Sequence, residues 1–489
     1  MSEHGITAGT AEDWASVERF EPGESHGAVT RCAATAALGG FLFGYDSAVI
    51  NGAVKAIGDH FNTSAGSLGF AVSSALIGAA IGAFMAGRVA DAFGRLKAMW
   101  LAAALFLISA IGSGVAPTLA LFIIFRVVGG VAVGAASVIA PAYIAEIAPA
   151  RIRGRLGSLQ QLAIVTGIFL ALLADYVLAT AAGGSEKDLW LGLEAWRWMF
   201  LSMAIPSLLY GGLALTIPES PRHLVRLGRI DEARGVLRKV LGNIDLDAKI
   251  GQIRETMKAH SAPSWSDLRG PFLGLLPIVW VGIGLSVFQQ FVGINVIFYY
   301  SSVLWQAVGF NENDSLIITV VTSVVNIVTT LVAIASIDKF GRKPLLIIGS
   351  LGMMITLGVM ALIFGTAPVN ASGEPQLNGL AGPVALLAAN LFVFSFGMSW
   401  GPVVWVLLGE TFPNRIRAAA LSLAAAAQWV ANWVISTSFP ALANAGLGLA
   451  YSIYAGCALL SLLFVIRFVR ETKGQELETM TDEVRVVAH

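Results

Sequence analysis

The chain has 489 residues, of which 56% are hydrophobic and 13% are charged, and its formal net charge is zero. This composition is typical of integral membrane proteins and excludes an ordinary soluble enzyme or binding module. The balanced charge also excludes nucleic acid as a partner, because such binding needs a basic surface.

The chain begins with an acidic segment, residues 1–30, that lacks the basic and then apolar order of a cleaved signal peptide, so we expect it to remain as a tail. Runs of roughly 20 apolar residues, the length that crosses a bilayer, follow in two groups. The first six begin near residues 31, 67, 98, 119, 157 and 195, and the second six near residues 271, 314, 345, 381, 417 and 445. The sequence therefore predicts an all-α integral membrane protein with twelve transmembrane helices.

These runs divide the chain into an N-terminal six-helix bundle at 31–218, a linker at 219–270, a C-terminal bundle at 271–470 and a tail at 471–489. Within the linker, apolar residues recur at helical spacing over Ile230 to Val240 and Ile250 to Met257, which predicts short amphipathic helices. Cys32 and Cys457 lie in apolar runs near opposite ends and predict neither a disulfide nor a metal site.

Lysine and arginine fall in alternate loops, and the linker alone holds ten, from Arg222 to Arg269. Because such residues mark the cytoplasmic side, both termini and the linker are predicted to be cytoplasmic. The chain is thus expected to be a multi-pass protein of the cell membrane.

The two halves repeat. Glu146 to Arg153 matches Glu410 to Arg417, and Asp91 to Arg95 matches Asp338 to Arg342. A duplicated six-helix unit is a transporter architecture that binds its substrate between the halves.

These motifs, with several others, resemble those of the sugar porter family of the major facilitator superfamily, from about residue 35 to 475, and most of all the bacterial glucose and hexose permeases. The matching segments include Gly40-Phe-Leu-Phe-Gly-Tyr45-Asp46, Arg126-Val-Val-Gly-Gly130, Pro218-Glu-Ser-Pro-Arg222, Gln289-Gln-Phe-Val-Gly-Ile-Asn295 and Gly401-Pro-Val-Val-Trp405. Two residues depart from the family pattern: Ile334 stands where it has glycine, and Arg470 where it has proline.

The resemblance implies a hexose site between the bundles, and amides with aromatic plates suit the hydroxyls and apolar faces of a sugar. The implied sugar ligands are Gln161, Gln289, Gln290, Asn295, Tyr299, Asn326, Trp405, Gln428 and Trp429. The alternative is that these amides form hydrogen bonds between helices. Adjacent glutamines project about 100° apart on a helix, so one neighbouring helix cannot receive both, whereas a polar cavity could. Gly293 and Gly401-Pro402 predict breaks in the seventh and tenth spans.

Two charged residues, Asp46 and Arg126, lie deep in the first and fourth spans, where a charge costs roughly 2.5 to 3.5 kcal/mol and is usually paired and functional. Both have depths in the outer half of the membrane, so an ion pair is geometrically feasible. The resemblance implies that an aspartate at this position belongs to proton symporters. The alternative is a static pair that joins two helices. A third acid, Asp175, is expected near the outer surface and is assigned no role.

Charged residues in the repeated loops are predicted to close a cytoplasmic gate in the outward-facing state and to separate as the halves rock. They are Asp91, Arg95, Glu146, Arg153, Asp338, Arg342, Glu410 and Arg417. The alternative is that they act only as orientation signals and helix caps. Gly129-Gly130 and Gly134, in the fourth span, are expected to allow close helix packing.

The sequence therefore favours a secondary active transporter that carries a hexose, glucose foremost, together with protons by alternating access. Its partners would be the sugar, protons and the lipid bilayer, and it is predicted to be monomeric, without cofactor or metal and without enzymatic activity. A passive hexose uniporter is the alternative, and a non-transporting sugar sensor is a further one, disfavoured because only some twenty residues follow the last span.

Overall fold

A computed structural model of the protein describes residues 26–148, 150–241, 245–259, 268–368, 377, 379–412 and 416–473. Of residues 26, 150–155, 157–158, 241, 256–259, 338, 409 and 417–418, only the backbone is described. The side chains of Arg153, Asp338 and Arg417, three of the predicted gating residues, thus lie outside the described part, as do most of both predicted tails.

The N-terminal bundle consists of helices that follow one another in chain order. They are α1 His26–Ala48, α2 Ile50–His60, α3 Ala65–Phe93, α4 Arg95–Val115, α5 Leu119–Ile147, α6 Ala150–Ala182, α7 Ala195–Ser202 and α8 Ala204–Ala214. Between α6 and α7, strands β1 (Asp188–Trp190) and β2 (Leu193–Glu194) form a small antiparallel hairpin that the sequence did not predict.

The linker forms α9 Pro221–Arg226, α10 Ile230–Leu241 and α11 Leu246–Ala259, so short helices occupy both predicted amphipathic segments. The C-terminal bundle then repeats the order of the first. Its helices are α12 Pro277–Phe291, α13 Ile294–Ala307, α14 Glu312–Phe340, α15 Arg342–Thr366, α16 Ala381–Gly397, α17 Trp400–Thr411, α18 Arg417–Ala445 and α19 Leu447–Phe468.

Eleven helical segments within the described residues are long and apolar enough to cross a membrane. The twelfth span is the pair α7 and α8, which covers Ala195–Ala214 with an interruption at Met203. Its 20 residues reach about 30 Å at 1.5 Å each, the thickness of a hydrocarbon core. The prediction of an all-α membrane fold with twelve spans is confirmed.

Besides the span of α7 and α8, three spans are broken within the described residues. Between α12 and α13, Gly293 adopts a left-handed conformation with φ of 83°, and a side chain there would collide with the ring of Tyr454. The span of α16 and α17 breaks at Met398 and Ser399, just before the predicted Gly401-Pro402. Proline is tolerated in the first turn of α17 because the amides there have no helical partner. The first span breaks at Val49, between α1 and α2.

Small residues allow close packing between α3 and α5. A side chain on Gly130 would lie 1.9 Å from the backbone oxygen of Ala75, and one on Gly134 would lie 2.0 Å from that of Ala79. Only glycine permits this approach. The expectation that these glycines let the fourth span pack closely is confirmed.

The helix ends define two sides of the molecule. We call the side that carries the linker helices the linker side and the opposite side the far side. The two bundles pack against each other through α2 with α13, α3 with α18, and α6 with α14. The candidate site residues lie along this boundary.

Candidate functional site

The break between α12 and α13 brings three predicted amides into one hydrogen-bonded chain. Asn295 Nδ2 donates to Gln290 Oε1 at 2.5 Å, and Gln290 Nε2 donates to Gln289 Oε1 at 3.4 Å. Gln289 Nε2 in turn donates to the backbone oxygens of Trp400 at 2.8 Å and Gly401 at 3.2 Å. Gln289 and Gln290 are buried, whereas Asn295 is partly exposed. The adjacent glutamines are thus satisfied by each other and by the second broken helix.

Tyr299, one turn further along α13, connects this chain of amides to both bundles. Its hydroxyl lies within hydrogen-bonding reach of Asn432 on α18 and of Ser47 on α1, and the ring is buried. Asn432 also accepts a hydrogen bond from Ser436 at 3.1 Å. Sequence reasoning selected Gln428 and Trp429 on this helix but missed Asn432, which lies one helical turn from Gln428 and could have been found by that spacing.

The remaining predicted sugar ligands lie on four helices, α6, α14, α17 and α18. Trp429 on α18 faces Phe43 on α1 across the boundary, with ring centroids 6.0 Å apart. Asn326 on α14 is buried beside Gly397, and Oε1 of Gln428 is buried without a hydrogen-bond partner among the described residues. Trp405 on α17 is 43% exposed.

Gln161 on α6 is partly exposed, while its neighbour Gln160, which the sequence reasoning did not select, is buried against Gly40 of α1. Within the described residues, neither Gln161 nor Trp405 hydrogen-bonds to the amide chain.

Asp46 and Arg126 form the buried ion pair that their depths made feasible. Arg126 Nη1 donates to Asp46 Oδ1 at 2.9 Å, and Nη2 donates to the backbone oxygen of Asp46 at 3.2 Å. Both side chains are at most 2% exposed. Asp46 Oδ2 and Arg126 Nε have no hydrogen-bond partner among the described residues. The pair therefore keeps one free acceptor and one free donor, directly beside Ser47 and the Tyr299 hydroxyl.

Asp175, which the sequence predicts near the outer surface, lies in the last third of α6. Its side chain is fully buried in α6, and Oδ2 accepts a hydrogen bond from the backbone amide of Gly52 at 3.1 Å. This burial could not be predicted from the sequence, because the break that turns the start of α2 toward α6 is a tertiary feature.

On the linker side, the charged residues of the N-terminal half form one cluster, which we call the N-cluster. Arg95 donates to Asp91 at 3.0 Å and to Glu146 at 2.8 Å. Glu219 accepts hydrogen bonds from the backbone amides of Arg95 at 2.9 Å and Leu96 at 3.2 Å. Ser220 donates to the second oxygen of Glu146, and Arg226 pairs with Asp91 at 3.0 Å.

The C-terminal half repeats this arrangement in a C-cluster. Arg342 donates to Glu410 at 2.7 and 3.0 Å. Glu471 accepts the backbone amides of Arg342 at 3.0 Å and Lys343 at 2.9 Å, and Thr472 donates to Glu410. Glu219-Ser220 and Glu471-Thr472 are therefore equivalent, a correspondence that the sequence reasoning missed although both are an acid followed by a hydroxyl residue just after the last span of each half.

Two groups in these clusters have shifted pKa values. Although partial burial opposes it, hydrogen bonds from the backbone amides of Arg342, Lys343, Thr472 and Lys473 lower the pKa of Glu471 below its usual value. Burial lowers the pKa of His223 in the N-cluster, since a charged imidazolium would be poorly hydrated there. Each predicted gating pair that is described lies within one bundle.

Comparison with known proteins places this arrangement in a family. The family model described as "Sugar (and other) transporter" matches residues 32–483. The chain is 60% identical to the glucose transport protein of Synechocystis, over 91% of this chain and 95% of that protein. It is 40% identical to the D-xylose-proton symporter of Escherichia coli, over 91% of this chain and 93% of that one.

Solved structures of similar proteins agree with this family assignment. The xylose transporter XylE from Escherichia coli, in a partially occluded inward open conformation, superposes with a TM-score of 0.79 at 38% identity and covers 92% of this chain and all of that one. An inward open structure of the same transporter gives a TM-score of 0.78. The chain therefore belongs to the sugar transporter family of the major facilitator superfamily.

Proposed function

We propose that the protein is a secondary active transporter that moves a hexose, glucose foremost, together with protons by alternating access. One observation carries the proposal: the buried Asp46–Arg126 pair adjoins Ser47, which Tyr299 of the opposite bundle reaches, and Tyr299 follows the amide chain of α12 and α13. A proton-binding carboxyl and a cluster of sugar-type ligands are thus contiguous across the boundary between the bundles.

The amide chain provides the sugar-binding chemistry. Asn295, Gln290 and Gln289 present both donors and acceptors, which match hydroxyl groups that donate and accept. Trp429 and the exposed face of Trp405 supply apolar plates for the sugar ring. Glucose is favoured because the Synechocystis relative, at 60% identity, is named a glucose transport protein.

Proton coupling would act through Asp46. While Arg126 donates to it, the aspartate is held as a carboxylate; protonation would weaken this pair and remove a charge from the membrane interior. A rocking motion that separates the two side chains would let the proton bind from one side and leave to the other. The Escherichia coli relative is named a proton symporter, which supports this assignment.

We infer that the linker side is cytoplasmic, because the linker and the alternate loops on its side hold most of the lysines and arginines. Both termini would then be cytoplasmic, in a multi-pass protein of the cell membrane. The N-cluster and the C-cluster, on this side, would contribute to closing the cytoplasmic gate in the outward-facing state, as the sequence predicts for Arg153, Asp338 and Arg417 too. Charge reversal at Arg153 or Arg417 should then raise cysteine labelling from the cytoplasmic side.

The test is uptake of labelled glucose into proteoliposomes with and without an imposed proton gradient. Wild type should concentrate glucose only with the gradient, and sugar addition should alkalinise the outer medium. Asp46→Asn should abolish accumulation but retain exchange between equal pools, since the amide imitates the protonated acid. Asp188→Asn, which removes an exposed carboxylate on the far side, serves as the control. Equilibration without accumulation by wild type would identify a passive uniporter, and sugar binding without any flux would identify a sensor.

The sugar site has its own test. Gln290→Ala or Asn295→Ala should weaken glucose binding by about tenfold or more, because each leaves buried polar groups unpaired at roughly 1 to 3 kcal/mol. Asn390→Ala is the matched control, since this amide donates only to Leu386 within its own helix. Normal binding in both site variants would make the amides of α12 and α13 structural.

A further inference from the structure

A second carboxyl, Asp175, lies in the membrane interior without a counter-ion. Its side chain has no exposed surface, Oδ2 accepts the Gly52 amide at 3.1 Å, and Oδ1 has no hydrogen-bond partner among the described residues. A side chain on Gly52 would come within 2.6 Å of the Asp175 Cβ, so the two helices are in direct contact there. This differs from Asp46, which a guanidinium neutralises.

Among the described side chains, the cations on neighbouring elements are engaged elsewhere. Lys55 on α2 faces Glu186 at 3.9 Å, Arg197 on α7 donates to Glu194, and Arg126 on α5 holds Asp46. A lone carboxylate in an apolar interior is strongly disfavoured, so Asp175 holds a proton in this conformation. The free Oδ1 is the oxygen that would carry it.

The other described titratable groups around Asp175 do not neutralise a charged Asp175 carboxylate in place of this proton. Of those on the elements packed against α6, only Tyr45 on α1 lies within electrostatic range, and its hydroxyl bonds Ser202 at 2.6 Å. The remaining described groups on these elements are Arg31, Cys32 and Asp46 on α1, Asp59 and His60 on α2, Tyr143 and Glu146 on α5, Glu312, Asp314 and Lys339 on α14, and Asp188 on β1. Among the described residues, none of these groups forms an ion pair or hydrogen bond with Asp175, whose polar contact is the Gly52 amide.

Asp175 is also placed where the two bundles join on the far side. Asn51, next to Gly52, donates to Phe298 O at 3.0 Å and to Ser301 at 3.2 Å, while Ser302 donates to it through its amide at 3.2 Å and its hydroxyl at 2.5 Å. Further along α6, Thr180 donates to Asn313 of the other bundle at 2.8 Å. Separation of the bundles on this side would therefore break the contacts between the bundles on both sides of Asp175, at Asn51 and at Thr180.

We propose that Asp175 is a second proton-binding site, which takes up a proton from the far side when the bundles close there and releases it to the same side when they open. The bond formed is Oδ1–H, the proton comes from far-side water, and it returns there on opening. The site adds no transported proton. It makes closure of the far side dependent on far-side pH, with acid favouring the closed state. The inference rests on the proposed alternating access but not on sugar coupling.

The test measures far-side separation directly. Spin labels are attached in Lys187→Cys and Leu380→Cys, two exposed far-side positions on opposite bundles, after Cys32→Ala and Cys457→Ala. Distances are recorded against pH in an Asp46→Asn background, so that the ion pair does not titrate. The open population should rise with pH by up to about tenfold per unit, the limit for one proton. Adding Asp175→Asn should remove this dependence and keep the far side closed.

The matched control is Glu186→Gln, because burial and the nearby Asp59 raise the pKa of this far-side acid as well. It should leave the pH dependence intact. An equal pH dependence with and without Asp175→Asn would overturn the proposal. Infrared spectroscopy provides an independent check: the carbonyl band of a protonated carboxyl should be present in Asp46→Asn and lost on addition of Asp175→Asn, and its persistence would also overturn the proposal. Because neither readout uses sugar or a gradient, the result is independent of whether uptake proves proton-coupled.

Discussion

The far side and the linker side of this molecule are held together in different ways. On the far side, the described hydrogen bonds join the two bundles: Asn51 to α13, Ser73 to Thr437 at 2.6 Å, Thr180 to Asn313, and the Ser185 amide to Glu312 at 2.9 Å. On the linker side, the described ion pairs of the N-cluster and C-cluster each remain within one bundle.

The chemistry of the two sides differs too. All but one of these far-side bonds between the bundles join neutral groups, and a neutral hydrogen bond contributes only about 0.5 to 1.5 kcal/mol net. The linker-side clusters use carboxylates and guanidinium groups in bonds that are roughly twice as strong. Weak bonds therefore connect the parts that must separate, and strong bonds fix the helix ends that must move as one body.

The largest expected effect comes from breaking an N-cluster pair. Arg95→Ala would leave Glu146, whose side chain is 10% exposed, without its guanidinium and should lower the free energy of unfolding by about 2 to 3 kcal/mol. Arg342→Ala should cost less, because the Glu410 side chain is 27% exposed. Thermal unfolding of the purified proteins measures both. Equal stability of Arg95→Ala and wild type would contradict the view that the cluster fixes the bundle.

The next effect concerns the far side. Asn51→Ala removes three side-chain hydrogen bonds between the bundles and should raise the far-side open population about tenfold, equivalent to roughly 1.4 kcal/mol. The distance between labels on opposite bundles reports this population. Asn390→Ala, which alters a bond within one helix, should leave it unchanged. A shift of similar size in the control would mean that far-side closure does not depend on Asn51.

A smaller effect tests the equivalence of the clusters. Glu471→Gln keeps one acceptor oxygen but loses the negative charge of the carboxylate that accepts hydrogen bonds from the Arg342 and Lys343 amides. This change should lower the free energy of unfolding by roughly 1 kcal/mol at neutral pH. Because the folded pKa of Glu471 is lowered, its contribution is present above the unfolded pKa and lost as pH falls through the folded value. The difference between variant and wild type in unfolding temperature should therefore shrink in acid. Glu219→Gln should behave similarly at neutral pH if the halves are equivalent.

The smallest effect concerns His223, which has no described counterpart in the C-cluster. Burial lowers its folded pKa, so its neutral form contributes stability above the unfolded pKa of roughly 6.5 that is lost as pH falls through the folded value. Between pH 7 and pH 5, wild type should lose slightly more thermal stability than His223→Gln. Parallel stability curves for the two proteins over this range would show that the histidine does not titrate in the cluster.

The sequence by itself determined the elements of this protein. Hydrophobic runs specify twelve spans because a bilayer demands about 20 apolar residues, and repeated loop motifs specify two equivalent bundles. The break at Gly293 was predictable because glycine alone tolerates that backbone. The depths of Asp46 and Arg126 made their pairing feasible, since an unpaired charge is disfavoured in an apolar span.

Only the tertiary structure decided which side chains meet. The break at Val49, which no glycine or proline marks, places Gly52 against Asp175 and Asn51 against α13. The bond of Glu471 to the start of α15 joins residues 129 positions apart. Such contacts depend on how helices cross, and the small residues that set those crossings act through packing between distant segments rather than through local sequence.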